Sequence, residues 1–97
     1  MAIGVLFDFP GVTAAQYEGV SKKLTGGRGL QALSDWPVKG ILSHAAGPTQ
    51  NGWRVIDVWE SEGAFGKFGP VLMPLLQEFK IPQVQPQIFP IHTVITT

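Results

Sequence analysis

Gly52-Trp53-Arg54-Val55-Ile56-Asp57-Val58-Trp59-Glu60-Ser61 is the stretch whose reading decides the fold. Successive side chains of a strand point to opposite faces, so Trp53, Val55, Asp57 and Trp59 share one face and Arg54, Ile56, Val58 and Glu60 the other. A strand apolar on both sides reads as a central strand of a sheet covered twice. An acid in its middle, Asp57, then needs a partner or a purpose. Ser61 ends the strand and supplies the N-cap of a helix, along which Phe65, Phe68, Leu72, Leu75 or Leu76, and Phe79 recur three and four residues apart. Gly69-Pro70 and Pro74 interrupt that stripe, because a mid-helix proline loses a hydrogen bond and clashes with the preceding turn. The pattern predicts a short helix, a break near Gly69 and a second piece running to about Lys80.

Working outward on the N-terminal side, Val38 to Ala46 (VKGILSHAA) reads as the partner strand, with Leu42, His44 and Ala46 on one face and Ile41, Ser43 and Ala45 on the other. The turn-forming cluster from Gly47 to Gly52 makes the two strands a hairpin. Two registers are open. If Asn51-Gly52 is a two-residue type I′ turn, Gln50 pairs with Trp53, His44 lies opposite Trp59, and Asp57 is diagonal to His44 at roughly 7 Å. If the loop spans Thr49 to Gly52, Pro48 pairs with Trp53 and His44 stands opposite Asp57, with about 5 Å between Cβ atoms. Either way His44, Asp57, Trp53 and Trp59 share one face.

Ala2 to Phe9 (AIGVLFDF) is a further strand, with Ile3, Val5, Phe7 and Phe9 on one side. Pro10-Gly11 breaks it. Thr13 and Gln16 have the spacing of a capping box, and Tyr17, Val20 and Leu24 form the apolar stripe of a short helix that Gly26-Gly27 stops. The glycine-rich connection from Gly26 to Pro37 follows a helix and lacks a Lys-Ser/Thr ending, which argues against a phosphate cradle; it reads as a flexible loop able to act as a lid. Trp36 within it is expected to plug the end of the core. After a linker from Ile81 to Pro86, Gln87 to Ile95 (QIFPIHTVI) is a last strand, and Pro90 inside it requires an edge position or a bulge.

The 97 residues amount to one domain, residues 1–97, with one core. Apolar residues make up 44% and charged residues 14%, against roughly 25% charged in an ordinary soluble domain, so part of the surface must be hidden. Seven basic and seven acidic residues balance, leaving no electrostatic footprint for nucleic acid or anionic lipid. The lack of cysteine rules out disulfides, thiolate zinc sites and thiol nucleophiles. No stretch approaches the roughly 20 apolar residues of a membrane span, and Met1 to Pro10 does not have the form of a signal peptide, so a cytoplasmic protein is expected.

The order strand, helix, strand, strand, helix, strand is that of the ferredoxin-like α+β sandwich, an antiparallel sheet with both helices on one face. The other face still carries bulky apolar groups, and the same surface of another copy is the simplest cover: a homodimer follows from burial. At the level of family the chain resembles the dimeric α+β barrel superfamily, and within it the small proteins grouped with antibiotic biosynthesis monooxygenases. The resemblance runs through GWRVIDVWES, Ala64-Phe65, Phe68, the Pro70-Val71-Leu72 region and the closing FPIHTVI. It implies a pocket between sheet and helices, and it admits cofactor-free oxygenases of phenols and quinols, haem-degrading enzymes, polyketide cyclases and members with no established reaction. No complete catalytic set of any one of those groups maps onto these residues.

His44 and Asp57 are the candidate catalytic pair. A carboxylate on one imidazole nitrogen orients the ring and favours its protonated form, leaving the other nitrogen to take a proton from a substrate hydroxyl. The resulting phenolate is electron-rich enough to react with oxygen or to cyclise. Trp53 and Trp59 would wall a pocket for a small aromatic or polyketide-like molecule, and Tyr17, the only tyrosine, could direct its hydroxyl into it. His44, His92 and Asp57 could in principle form a two-histidine, one-carboxylate metal set, but their strands are expected at opposite parts of the sheet, and neither a metal, haem nor another cofactor is expected. Arg54, on the opposite face from Asp57, is expected to pair with Glu60 or across the dimer. The competing expectation is a non-catalytic binding or structural module in which His44 and Asp57 merely satisfy each other. A cavity of several hundred Å³ beside His44 separates the two.

Overall fold

Alternation in the strands becomes a two-layer arrangement in the computed structural model, which describes residues 1–96. The elements follow as β1 (Ile3–Pro10), α1 (Ala14–Leu24), a short 3-10 turn (Leu33–Asp35), β2 (Ile41–Thr49), β3 (Gly52–Trp59), α2 (Glu62–Glu78) and β4 (Gln87–Pro90). The strands form one antiparallel sheet in the order β2-β3-β1-β4. Directly opposed residues share a face. Ile3, Val5, Phe7 and Phe9 therefore stand beside Trp59, Asp57, Val55 and Trp53, and this is the face the helices cover. All four β1 residues and Trp59 are buried, joined from α2 by Ala64, Phe68 and Leu76.

Local signals place the helices. Thr13 caps α1 with the reciprocal Gln16 contact of a capping box, and Gly26 and Gly27, both with positive φ, turn the chain away after Leu24. Ser61 caps α2 by accepting from the Ala64 amide at 3.1 Å. The Gln16 side-chain amide donates to the Phe79 carbonyl at 3.0 Å and ties the start of α1 to the end of α2.

Four expectations are corrected. No break occurs near Gly69: α2 runs unbroken through Pro70 and Pro74. Both prolines and Gly66 lie on the exposed side of the helix, so the carbonyls that lose their partners, those of Gly66 and Pro70, face water, while Ala64, Phe68 and Leu76 hold the other side to the sheet. β2 begins at Ile41, not Val38, and a bulge between Ile41 and Ser43 turns Ile41 onto the same face as His44. The extra residue lets Ile41 bury opposite Trp59, a gain of about 1.5–3 kcal/mol. β4 keeps its edge position but ends at Pro90, which has no N–H for the ladder; the Ile91 amide then donates to the Ala2 carbonyl at 2.9 Å. Arg54 pairs within the chain not with Glu60 but with Asp8 beside it on β1, donating twice at 2.6 and 3.1 Å.

The face away from the helices carries Leu6, Ile56, Val58 and Phe89. Ile56 is 41% and Phe89 38% exposed. The Phe89 ring lies over Gly4 so closely that any Cβ there would sit 2.3 Å from it. Among the described residues, no helix is long and apolar enough to cross a membrane.

Candidate active site

The hairpin takes the register in which Pro48 faces Trp53 and His44 stands opposite Asp57, but the loop is shorter than expected for it: Thr49 pairs with Gly52, and Gln50 and Asn51 alone make the turn. His44 Nδ1 lies 2.5 Å from Asp57 Oδ1. Asp57 is 3% exposed, and its second oxygen accepts from the indole N–H of Trp59 at 3.3 Å. Both carboxylate oxygens thus have donors, as a buried acid requires.

The other ring nitrogen of His44, which a substrate hydroxyl was expected to meet, is already engaged: the Tyr17 hydroxyl is 2.6 Å from Nε2. Tyr17 sits one turn into α1, its amide bonded to the Thr13 carbonyl, so the capping box sets where its ring enters the core. Burial first, then the charges of Glu18 and Asp57, push its phenol above the ordinary tyrosine value. With Nδ1–H donating to the Asp57 carboxylate, a neutral imidazole leaves Nε2 to accept from the Tyr17 hydroxyl. Tyr17, His44 and Asp57 form one chain of hydrogen bonds from α1 to the middle of the sheet.

Aromatic rings enclose that chain. The Tyr17 and His44 rings lie parallel within 9°, Trp53 leans on Tyr17 at a centroid distance of 5.2 Å, and Trp36 meets the His44 ring edge-on at 4.8 Å. Tyr17, His44, Asp57 and Trp53 line a cavity of about 60 Å³ between sheet and helices, closed on its far side by Phe68 and Leu72. Its lining includes no Lys or Arg. A second hollow of about 290 Å³ lies outside, bounded by Leu30, Gln31, Ala32 and Leu33. Leu30, Trp36 and His44 border both spaces, so Leu30 and Trp36 stand between the inner cavity and the outer one.

The segment carrying these two residues is tied into a compact unit by Asp35. Its carboxylate accepts from the Gln31 and Ala32 amides at 2.9 Å each and from Arg28 at 2.7 Å, and these contacts hold its pKa below the usual carboxylate value, with the two amides the larger cause. The buried Ser21 hydroxyl receives the Leu30 amide at 2.7 Å. Glycines with positive φ, Gly29 before this unit and Gly40 after it, flank it.

Of the residues singled out in the sequence, His44, Asp57, Tyr17 and Trp53 come together around the inner cavity. Trp59 does not line it: wholly buried, it stands behind Asp57 as a hydrogen-bond donor and packs on Phe65 and Phe68. His92 is exposed beyond the end of β4, and among the described residues no three His, Cys, Asp or Glu side chains gather as a metal-binding group. Trp36, expected only to plug the core, is the residue the sequence reading missed. Nothing near it in the chain links it to His44.

Two helices on one face of a four-stranded antiparallel sheet ordered β2-β3-β1-β4 make up the ferredoxin-like plan. A solved structure of this kind, that of SnoaB, a cofactor-independent oxygenase from Streptomyces nogalater, matches the chain with a TM-score of 0.57 and 13% sequence identity, over 99% of this chain and 95% of that one. The likeness is one of fold. No protein-family profile and no curated protein matches the sequence.

Proposed function

We propose that the chain is a small enzyme, monooxygenase-like and working without a cofactor, that acts on a small aromatic or polyketide-like substrate. The observation that carries this reading is the continuous chain Asp57–His44–Tyr17 ending in an apolar, aromatic-walled cavity. A substrate hydroxyl beside Tyr17 passes its proton to the Tyr17 oxygen as Tyr17 gives its own to His44 Nε2, and Asp57 faces the positive charge that forms on the imidazole. The ionised ring then takes up dioxygen as a hydroperoxide and loses water. One phenol and one dioxygen yield one quinone and one water. Likeness of fold to a cofactor-independent oxygenase supports the class of reaction and says nothing of the substrate.

At about 60 Å³ the inner cavity holds about two waters and falls short of the roughly 150 Å³ that admits benzene. Substrate entry therefore requires Trp36 and Leu30 to move outward and join the inner cavity to the outer hollow. The tight resting state favours a second reading, a non-catalytic binding or structural module. Oxygen uptake measured against a panel of phenols and quinols separates the two. The enzyme consumes oxygen in step with quinone formation, and His44→Ala abolishes it; a folded wild-type protein inert on the whole panel, or a His44→Ala variant with full turnover, removes the relay from the proposal.

The same reading makes the protein a cytoplasmic homodimer of one-domain chains, joined through the apolar sheet face of Leu6, Ile56, Val58 and Phe89. Exposure of Ile56 and Phe89 on a sheet face that no helix covers is what supports the pairing.

A further inference from the structure

Among the described residues, the Trp53 indole nitrogen is the buried side-chain nitrogen or oxygen without a hydrogen-bond partner, and it belongs to a residue that lines the cavity. Tyr17, His44 and Asp57 satisfy one another, Trp59 satisfies Asp57, and the Ser21 hydroxyl accepts from Leu30. The Trp53 indole N–H is buried, and among the described residues it meets no protein acceptor. Leaving a buried donor unpaired costs about 1–3 kcal/mol, and nearly all such groups in folded proteins find a partner. A core tryptophan that served packing alone could be replaced by phenylalanine at that position without this cost. Here the indole lines the cavity and leans on the ring of Tyr17 at 5.2 Å.

We propose that Trp53 determines specificity: its indole N–H receives an uncharged acceptor oxygen, such as a ketone carbonyl, on the aromatic ligand that enters the cavity. The lining also sets the ligand's charge. It contains the carboxylate of Asp57 and no Lys or Arg, so an aromatic acid would bring a second negative charge into an apolar space whose one ionisable base, His44, is already paired with Asp57. The site thus selects neutral oxygen-bearing aromatics over hydrocarbons, through Trp53, and over acids, through the absence of a free counter-charge. This rests on the reading that the cavity takes a small aromatic, but it does not depend on turnover.

The test is calorimetric binding of three single-ring probes to the full chain: acetophenone, α-methylstyrene, which has the same shape with CH2 in place of the carbonyl oxygen, and benzoate. Wild-type protein is expected to bind acetophenone about tenfold more tightly than α-methylstyrene, the worth of one satisfied buried donor. Benzoate should bind at least tenfold more weakly than acetophenone. Trp53→Phe should bring acetophenone and α-methylstyrene to within twofold of each other. A readout on wild-type protein keeps the idea testable should that variant not fold: in proton–nitrogen NMR spectra the Trp53 indole N–H resonance moves downfield with acetophenone and not with α-methylstyrene. Equal binding of those two probes to wild-type protein, an unmoved indole resonance, or a carbonyl preference that survives Trp53→Phe overturns the role of Trp53 and leaves the cavity as a binding site. No binding of any probe overturns the cavity reading itself, and this inference with it.

Discussion

The Tyr17 hydroxyl, carried by α1, and His44 Nε2, carried by the edge strand β2, are 2.6 Å apart across the interface of helix and sheet. This contact engages the His44 nitrogen that Asp57 leaves free. The imidazole that an extended reading of β2 and β3 would leave open is instead the middle member of a hydrogen-bonded chain.

Because the chain has one tyrosine, a phenolate absorbance titration reports on Tyr17 alone. Burial holds its folded-state pKa above the unfolded value of 10.0. The folded protein keeps a proton that the unfolded chain has given up. The resulting stabilisation is fully present below the unfolded pKa and falls away as pH rises from there through the raised, folded value. The titration midpoint of the native protein is expected above 10.0, returning to the ordinary value in denaturant. A native midpoint at or below the denatured one would mean that the phenol is not buried against His44 as described.

Asp57→Asn tests whether the buried acid is needed as an anion or only as a shape. Asp57 accepts at both oxygens, from His44 and from Trp59, whereas an amide has one acceptor oxygen and must turn its NH2 toward the other donor. The expected cost is about 1–3 kcal/mol of stability by denaturant titration. A loss of about 10²–10⁴-fold in any phenol-oxidising turnover should accompany it, since the imidazole loses the charge that faces its protonated form. Unchanged stability would show that the two donors find other acceptors.

How much of this was legible in the chain follows from the range of the signals. Alternation in β1 and β3, the Thr13/Gln16 box and the Ser61 cap act over a few residues, and each appears in the fold where its spacing puts it. The partnership of His44 and Asp57 was also legible, because both hairpin registers keep them on one face; only the turn geometry chose between the two. The unbroken α2 was not, since tolerance of Pro70 and Pro74 depends on which side of the helix meets water. Trp36 beside His44, Tyr17 on Nε2 and Arg54 on Asp8 join distant parts of the chain. Local periodicity carries no information about such contacts.

Trp36→Ala should widen the way into the cavity. Removing the indole deletes the wall shared by the inner cavity and the outer hollow, at a cost in stability of about 3–5 kcal/mol for a tryptophan that is 9% exposed. In stopped-flow measurements a small aromatic such as acetophenone is expected to associate faster with the variant than with wild-type protein, by tenfold or more if outward movement of Trp36 limits entry. Equal association rates in a folded variant would place the entry route elsewhere.

Ile56→Glu addresses the uncovered face of the sheet. Ile56 projects away from Asp57 and the cavity, is 41% exposed in the single chain, and shares its face with Leu6, Val58 and Phe89. Covering that face with a second copy would bury Ile56 against apolar groups, where an unpaired carboxylate is costly. Within one chain the same glutamate stays in water and costs little. Light scattering on a sizing column is therefore expected to report a wild-type dimer at micromolar concentration and a monomeric Ile56→Glu variant. The circular dichroism of the variant should remain native in form. A wild-type protein that elutes as a monomer with an ordinary, cooperative unfolding transition would show that one chain tolerates the exposed apolar face, and would remove the homodimer from the proposed function while leaving the site, which lies on the opposite face, untouched.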